Sequence, residues 1–455
     1  MNSFPSVDLD LLKKYDVPAP RYTSYPTALQ FDESFRADEL PGRMAEESSQ
    51  RDLSLYFHIP FCEKLCWYCA CNRIIEQDRE EGTDYLDEMF REVDRRRPLL
   101  EGRQVAQIHL GGGTPTFLKP DDLRRLGGRL DDQFDIAQEA EISIEIDPRA
   151  CSEETVAALA DAGFNRASLG VQDHNPTVQE AIHRVQPFEQ TARVVGWLRQ
   201  AGFGSINFDL IYGLPHQTLA SFDQTIADVL TLSPDRLAVY SYAHVPWVNP
   251  AQKLLEGEAL PEADQKLRLF RRCIEELTDA GLSYIGLDHF AKPDDELARA
   301  RREGTLRRNF QGYSTRGGTD VHAFGLSAIS QTETMYFQNA KELDDYRQRL
   351  EAGDLPIFRG CTLSRDDRIR RDTIERVMCR GELDFGALSE ELDIDFTDYF
   401  ADELDRLAPL QEDGLLEVGD DHLRIAPLGR LFLRNIATAF DAYLDRSKQR
   451  YSKTV

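Results

Sequence analysis

Short apolar runs recur along much of the chain: Leu53–Ile59, Val105–Leu110, Glu141–Ile146, Arg166–Val171, Ile206–Tyr212, Leu237–Tyr242 and Ser283–Leu287. They are rich in Ile, Val, Leu, Phe and Tyr and too short for helices, so they read as strands buried on both faces. Amphipathic stretches separate them. Thr83 is placed as a helix N-cap, followed by Leu86, Met89, Phe90 and Val93 on one stripe. Val156, Leu159 and Ala162-Gly163 give a helix and its stop, and Val194, Trp197 and Leu198 before Ala201-Gly202 repeat it. Strand and helix in alternation predict βα units around a parallel sheet.

The unusual residues fall where these strands end. A cysteine-rich loop follows the first and Gly111–Pro115 the second; Glu145 and Asp147 end the third, Gln172-Asp173 the fourth, Asp209 and Gly213 the fifth, Ala243-His244 the sixth, Asp288-His289 the seventh. In an α/β barrel the chemistry collects on that rim. Six or seven units fall short of eight, so the expected fold is α/β, a partial, open TIM-like barrel over residues 51–355. Residues 1–50 form an N-terminal arm containing the aperiodic stretch Pro20–Thr27. Residues 356–455 form a small, mainly helical, winged-helix-like domain: helices Arg365–Cys379, Phe385–Leu392 and Tyr399–Leu410, a hairpin around Gly419–Asp421, and a last helix Leu428–Tyr443.

Composition narrows the partners. The net charge of −26 repels phosphate backbones, so nucleic acid is not an expected partner and the C-terminal module reads as a packing lid. A locally basic pocket still works in such a chain, because distant charges are screened. No apolar run reaches the ~18 residues of a membrane helix. The first residues lack a basic segment followed by an apolar one, so no signal peptide and a cytoplasmic, reducing setting are expected.

Four of the eight cysteines, Cys62, Cys66, Cys69 and Cys71, lie together. Three thiolates spaced C-x3-C-x2-C can hold three corners of a cubic iron–sulfur cluster and leave the fourth iron open to a small molecule. Zinc accepts similar spacings, but a closed site usually takes a second ligand pair, and none follows here. Disulfides suit neither the setting nor the chain length. Gly111–Pro115 alone reads as a tight turn, not a P-loop, since no Lys-Ser/Thr follows. Glu145, Gln172 and Asp209 could bond ribose hydroxyls or an ammonium, and Arg184 a carboxylate; read singly, each is an ordinary solvated or paired residue.

The cysteine loop resembles the signature of the radical S-adenosylmethionine enzymes. That resemblance makes Cys62, Cys66 and Cys69 the ligands of a [4Fe–4S] cluster whose fourth iron takes the amino and carboxylate groups of S-adenosylmethionine. Tyr68 then stands near the adenine. Reduction splits the sulfonium, and the 5′-deoxyadenosyl radical removes hydrogen from an unactivated carbon. The fourth cysteine, together with Tyr56–Cys62, Gly111–Thr116, Glu145–Arg149, Gly170–Asp173, Asp209–Pro215, Pro20–Thr27 and Arg308–Thr315, resembles the oxygen-independent coproporphyrinogen III oxidases over nearly the whole chain.

That resemblance implies conversion of two propionates of coproporphyrinogen III to vinyls, giving protoporphyrinogen IX, with an unidentified electron donor and acceptor and a monomeric chain. It implies two S-adenosylmethionine molecules. The first meets Tyr56, Gly112, Glu145 and Ile329; the second meets Tyr68, Gly113, Thr114, Gln172, Arg184, Asp209 and Ala243. Ala70 stands where the family often has Gly, and the role of Cys71 is left open: spare thiol, substrate contact or electron route. A substrate with four carboxylates asks for cations, and Arg21, Arg149 and Arg308 are the expected ones. Two other readings stand beside this one: a haem-binding, chaperone-like relative, which generally lacks the arm and fourth cysteine, and a zinc-stabilised scaffold without catalysis.

Overall fold

The computed structural model describes residues 5–47, 51–444, 451 and 453; residues 48–50, at the expected end of the arm, lie outside it. Six of the expected strands hydrogen-bond side by side, in parallel and in chain order: β1 (Leu53–Ile59), β2 (Gln104–Gly112), β3 (Asp135–Ile146), β4 (Arg166–Gln172), β5 (Ser205–Tyr212) and β6 (Arg236–Ser241). Helices α1 (Glu80–Arg96), α2 (Pro120–Gln133), α3 (Glu153–Asp161), α4 (Phe188–Gln200) and α5 (Leu219–Thr231) connect them. Each buries an apolar stripe, as α1 does with Tyr85, Leu86, Met89 and Val93. Loops leaving the C-terminal ends of the strands therefore crowd one rim.

The seventh expected run behaves differently. Its strand β7 (Ser283–Gly286) keeps the direction of β6 but does not pair with it. After Leu287-Asp288 the chain folds straight back as β8 (His289–Ala291), which takes the place between them and is antiparallel to both. A parallel neighbour needs a long crossover, whereas two residues suffice for a hairpin. The hairpin β9 (Arg307–Asn309) and β10 (Gly312–Ser314) follows. The chain then returns to the other edge with β11 (Asp320–Phe324), parallel to β1, a strand the sequence pattern missed. Strands β12 (Ile329–Gln331), β13 (Met335–Asn339) and β14 (Ile357–Thr362) extend that edge as an antiparallel meander. The order is β14-β13-β12-β11-β1-β2-β3-β4-β5-β6-β8-β7, and among the described residues its ends are unjoined, so the barrel is open.

Other boundaries moved for physical reasons. Helix α1 starts one turn before Thr83, with the Asp78 carboxylate accepting the Glu80 N–H (3.0 Å), and the Thr83 hydroxyl donates instead to Asp122 on α2 (2.7 Å). The stretch Tyr399–Leu410 is broken into Ala401–Asp405 and Ala408–Glu412, because Pro409 tolerates only a helix's first turn. The last expected helix is a helix of five residues, Leu433–Ala437, flanked by 3-10 turns Leu428–Phe432 and Thr438–Phe440. Most of that segment is buried between arm and barrel, and tertiary contacts override a single helical register. Helix α6 (Arg365–Cys379) and the hairpin Leu416–Val418/His422–Ile425 lie as expected, with Glu382–Asp384 adding a third strand.

The arm is pinned rather than loose. It carries a helix at Leu9–Tyr15, and Pro20–Thr27 runs without regular structure. Tyr22 donates to Asp441 (2.9 Å), the Ala442 N–H donates to the Tyr25 hydroxyl (2.9 Å), and Arg434 donates to the carbonyls of Ala19 and Pro20.

One buried charge network ties α1 to the β11–β13 edge. Arg96, 1% exposed, donates to Glu92 (3.0 Å), the Ala323 carbonyl (2.6 Å) and Ser330 (3.0 Å), under the faces of Phe324 and Phe337. Glu92 also accepts from Gly325 N–H, Asn339 and Tyr346. Truncating one member strands the other's charge. Glu92→Ala should therefore lower unfolding stability by about 3–5 kcal/mol, measured by denaturant unfolding; a loss near zero would refute this account.

Candidate functional site

The loop after β1 carries the four cysteines across the rim. Its backbone closes against the next strand: Gly113 N–H donates to the Ile59 carbonyl and Thr114 N–H to that of Phe61, both 2.8 Å. Only glycine permits this approach. A Cβ on Gly113 would stand 2.6 Å from the Pro60 carbonyl oxygen, and Gly112 has φ +119° with His58 and the Ile59 carbonyl 2.8 Å from where its Cβ would be.

Behind the thiols stands Asp147, at the end of β3. Arg149 grips it with two nitrogens (Nη2–Oδ2 2.6 Å, Nε–Oδ1 3.0 Å), and Arg184 adds a third contact (3.0 Å). Burial pushes the Asp147 carboxyl up, but the two guanidiniums outweigh it and hold the group at about 2. Both arginines also point N–H groups at Cys66 Sγ, at 3.2 Å and 3.5 Å. Arg184 reaches the Gly170 carbonyl too (2.7 Å), beside Gln172, a non-glycine residue at φ +68°. The cysteine loop is docked onto the segment before Arg184: Trp67 N–H donates to the Ile182 carbonyl and the Trp67 ring stacks on His183.

The thiols fit a cluster held by three sulfurs. Cys66 and Cys69 share one turn, Cys69 N–H donating to the Cys66 carbonyl, Cys62 ends the short strand before it, and each has support: Thr114 hydroxyl 3.3 Å from Cys62, the two guanidiniums at Cys66, and the Cys71 thiol at Cys69. N–H and O–H groups directed at sulfur are how proteins tune such clusters. Burial pushes the bare Cys62 thiol up to about 11, a penalty that iron at the sulfur removes. Among the described residues no three Cys, His, Asp or Glu side chains gather as a single metal ion requires, a convergence that a cubane with its separated corners does not need.

The cofactor residues expected from the sequence have definite neighbours on the strands and loops of the barrel. Gly112 N–H donates to Glu145 Oε2 (3.1 Å), and Tyr56 stacks on His109, which itself approaches Glu145 (3.5 Å). Ile329 is level with Ala323, the β11 partner of Tyr56. Tyr68 and Ala243 are tied together by Gln252, whose amide nitrogen donates to the Tyr68 (2.9 Å) and Ala243 (3.2 Å) carbonyls. Asp209 sits further into the barrel, receiving Ser168 (3.0 Å) and Asn207 (2.9 Å); burial and the nearby Glu145 push its carboxyl up to about 7. Glu145 and Asp209 line a polar lumen of ≈160 Å³ with His109, Ser143, Asn207 and Gln311.

The expected substrate cations are not gathered in one place. Arg149 stands behind the thiols, whereas Arg21 lies by β6 and Asp288, and Arg308 lies on the β9–β10 hairpin. Arg21 pairs with Asp288 and lies over Tyr240; Arg308 lies over Tyr313. Sequence reasoning set Asp147 on the rim beside Glu145 without giving it a role, and passed over His109 and Gln252. His109 could have been found as a polar interruption of an apolar strand. Gln252 lies in an irregular segment with no sequence signal.

Comparison with known proteins agrees with this geometry. Residues 56–229 match the radical SAM superfamily model and 363–432 the HemN C-terminal domain model. The chain is 46% identical to the oxygen-independent coproporphyrinogen III oxidase of Salmonella typhimurium and 45% to that of Escherichia coli, each over 98% of both chains. It superposes on the solved coproporphyrinogen III oxidase (HemN) of Escherichia coli, described as a radical SAM enzyme, with a TM-score of 0.92 over 97% of this chain and 100% of that one. Its sequence, its open barrel and its thiol loop thus place this chain in the oxygen-independent coproporphyrinogen III oxidase family of the radical S-adenosylmethionine enzymes.

Proposed function

We propose that this chain converts two propionate side chains of coproporphyrinogen III to vinyl groups without oxygen, giving protoporphyrinogen IX in porphyrin biosynthesis. The observation that carries this is 46% identity, over 98% of both chains, to an oxidase of that name, beside a thiol loop backed by Asp147, Arg149 and Arg184. In this reading Cys62, Cys66 and Cys69 hold a [4Fe–4S] cluster. Two S-adenosylmethionine molecules bind, the first at Tyr56, Gly112, Glu145 and Ile329, the second at Tyr68, Gly113, Thr114, Gln172, Arg184, Asp209 and Ala243. The reading includes an external electron donor and acceptor, a monomeric chain and a cytoplasmic setting. No described helix is long and apolar enough to cross a membrane.

When bound, cluster and cofactor supply one-electron cleavage of a sulfonium carbon–sulfur bond and hydrogen abstraction from a propionate carbon. The chain's own groups position and enclose. The glycine turn lets main-chain groups approach the cofactor, Glu145 offers acceptors for an ammonium or a hydroxyl, and Arg184 offers a cation to a carboxylate. Arm and hairpin β9–β10 cover the open side, keeping water from a reactive centre.

Three measurements test this. Anaerobic enzyme with coproporphyrinogen III, S-adenosylmethionine and a reductant should form one 5′-deoxyadenosine for each vinyl group; tight haem binding without vinyl product would replace this reading with the haem-binding one. Cys62→Ala should leave reconstituted protein colourless, with iron near background and an unchanged circular dichroism spectrum; retained brown colour would refute the ligand assignment. Asp209 has a folded pKa of about 7, raised from 3.8, so its ionised form weakens the fold increasingly as pH rises from about 4 to 7. Asp209→Asn should therefore raise Tm, most at pH 8 and least below pH 4, while weakening cofactor binding; a gain independent of pH would contradict the shift.

A further inference from the structure

Two of the three cations expected to meet the substrate are already engaged, Arg149 by Asp147 and Cys66 and Arg21 by Asp288. Arg308 is different. It is 8% exposed, and its buried Nε and Nη1 find no hydrogen-bond partner among the described residues. The guanidinium lies on the Tyr313 ring, 4.9 Å from the centroid. Glu375 does not neutralise it: that carboxylate accepts the main-chain N–H of Arg308 (3.3 Å) and pairs with the side chain of Arg307 (3.5 Å). A cation removed from water without a counter-charge is strongly disfavoured.

The surroundings show where an anion fits. Arg308 lines a cavity of ≈220 Å³ under the arm, walled by Tyr22–Tyr25. The other cations of that wall have carboxylates of their own: Arg51 with Asp320 and Glu333, Arg316 with Glu141, Arg371 with Asp372, Arg376 with Glu391. Among the described residues of that wall, Arg308 is thus the positive charge left over. Tyr313, its pairing partner across β9–β10, lines the lumen together with Glu145 and Asp209. The guanidinium therefore stands where the cavity under the arm meets the lumen that holds the expected cofactor residues. His289, against Tyr313, adds no charge, since burial and the neighbouring Arg308 and Arg21 push it down to about 3. The cavity is too small for a tetrapyrrole but accepts the end of a side arm, and a planar carboxylate matches the guanidinium fork.

We propose that Arg308 receives a carboxylate of the tetrapyrrole substrate, from a propionate that is not being cleaved in that turnover. This rests on the substrate reading above. Coproporphyrin III, the stable oxidised form of the substrate, serves as probe, titrated by fluorescence into cluster-loaded enzyme. Arg308→Gln should weaken its binding about tenfold and raise the KM for coproporphyrinogen III alike, with kcat changed less than about threefold, and Arg308→Lys should recover part of the affinity. Unchanged affinity in Arg308→Gln overturns the inference. If that variant does not fold, Ser24→Phe narrows the same cavity from the arm; it should weaken the probe comparably, and unchanged binding again overturns the proposal. A wild type that binds no coproporphyrin III and forms no vinyl product overturns the substrate reading itself, which separates that failure from this one.

Discussion

A single carboxylate between two guanidiniums determines where the middle thiol stands. Asp147 leaves β3, Arg149 belongs to the same turn, and Arg184 comes from the segment after β4, so their contacts join two strand ends to the cysteine loop. The sum of charges is positive, and it faces sulfur. Thiolates, and an anionic cluster bound through them, would gain from that field. Without Asp147 the two arginines would repel each other; without them Asp147 would be a buried charge with nothing to balance it. The glycine turn after β2 completes the arrangement by letting the loop come within backbone hydrogen-bonding distance.

The overall acidity of the chain does not govern this region. With −26 net charge, the protein still places Arg149, Arg184, Arg21 and Arg308 around its interior. Screening confines the remote acidic surface to a general effect on solubility and encounter, while charges within a few ångströms set the local chemistry. The lumen is polar for a related reason. An incomplete barrel lacks the closing strands whose branched apolar side chains help fill a closed one in layers, so its inward-facing polar residues border a cavity rather than a packed core.

Much of the architecture was legible because apolar strands and amphipathic helices alternate with different periods. The six parallel strands and their rim of Gly111–Gly113, Glu145, Gln172 and Ala243 follow from that pattern alone. The sense of pairing after β6 did not, since nothing in Ser283–Ala291 says that β8 folds back between its neighbours. Nor did β11, whose five residues include Asp320 and His322 and so lack an apolar run. The polar lumen was written in the sequence but is easy to pass over. Gln107 and His109, Glu141, Ser143 and Glu145, and Asn207 and Asp209 all recur at intervals of two, the period of one strand face. The partners of Arg149 and the unmatched charge of Arg308 depend on three-dimensional neighbours and were beyond any periodicity.

Arg434 holds the carbonyls of Ala19 and Pro20, and Asp441 and Ala442 hold Tyr22 and Tyr25. The first and last parts of the chain therefore lock each other in place. During synthesis on the ribosome Ala19, Pro20, Tyr22 and Tyr25 lack these partners until the final segment emerges, whereas the strand leading into the thiol loop is complete long before. The stretch of arm that walls the cavity beside Arg308 is therefore among the last parts of the molecule to be fixed in place.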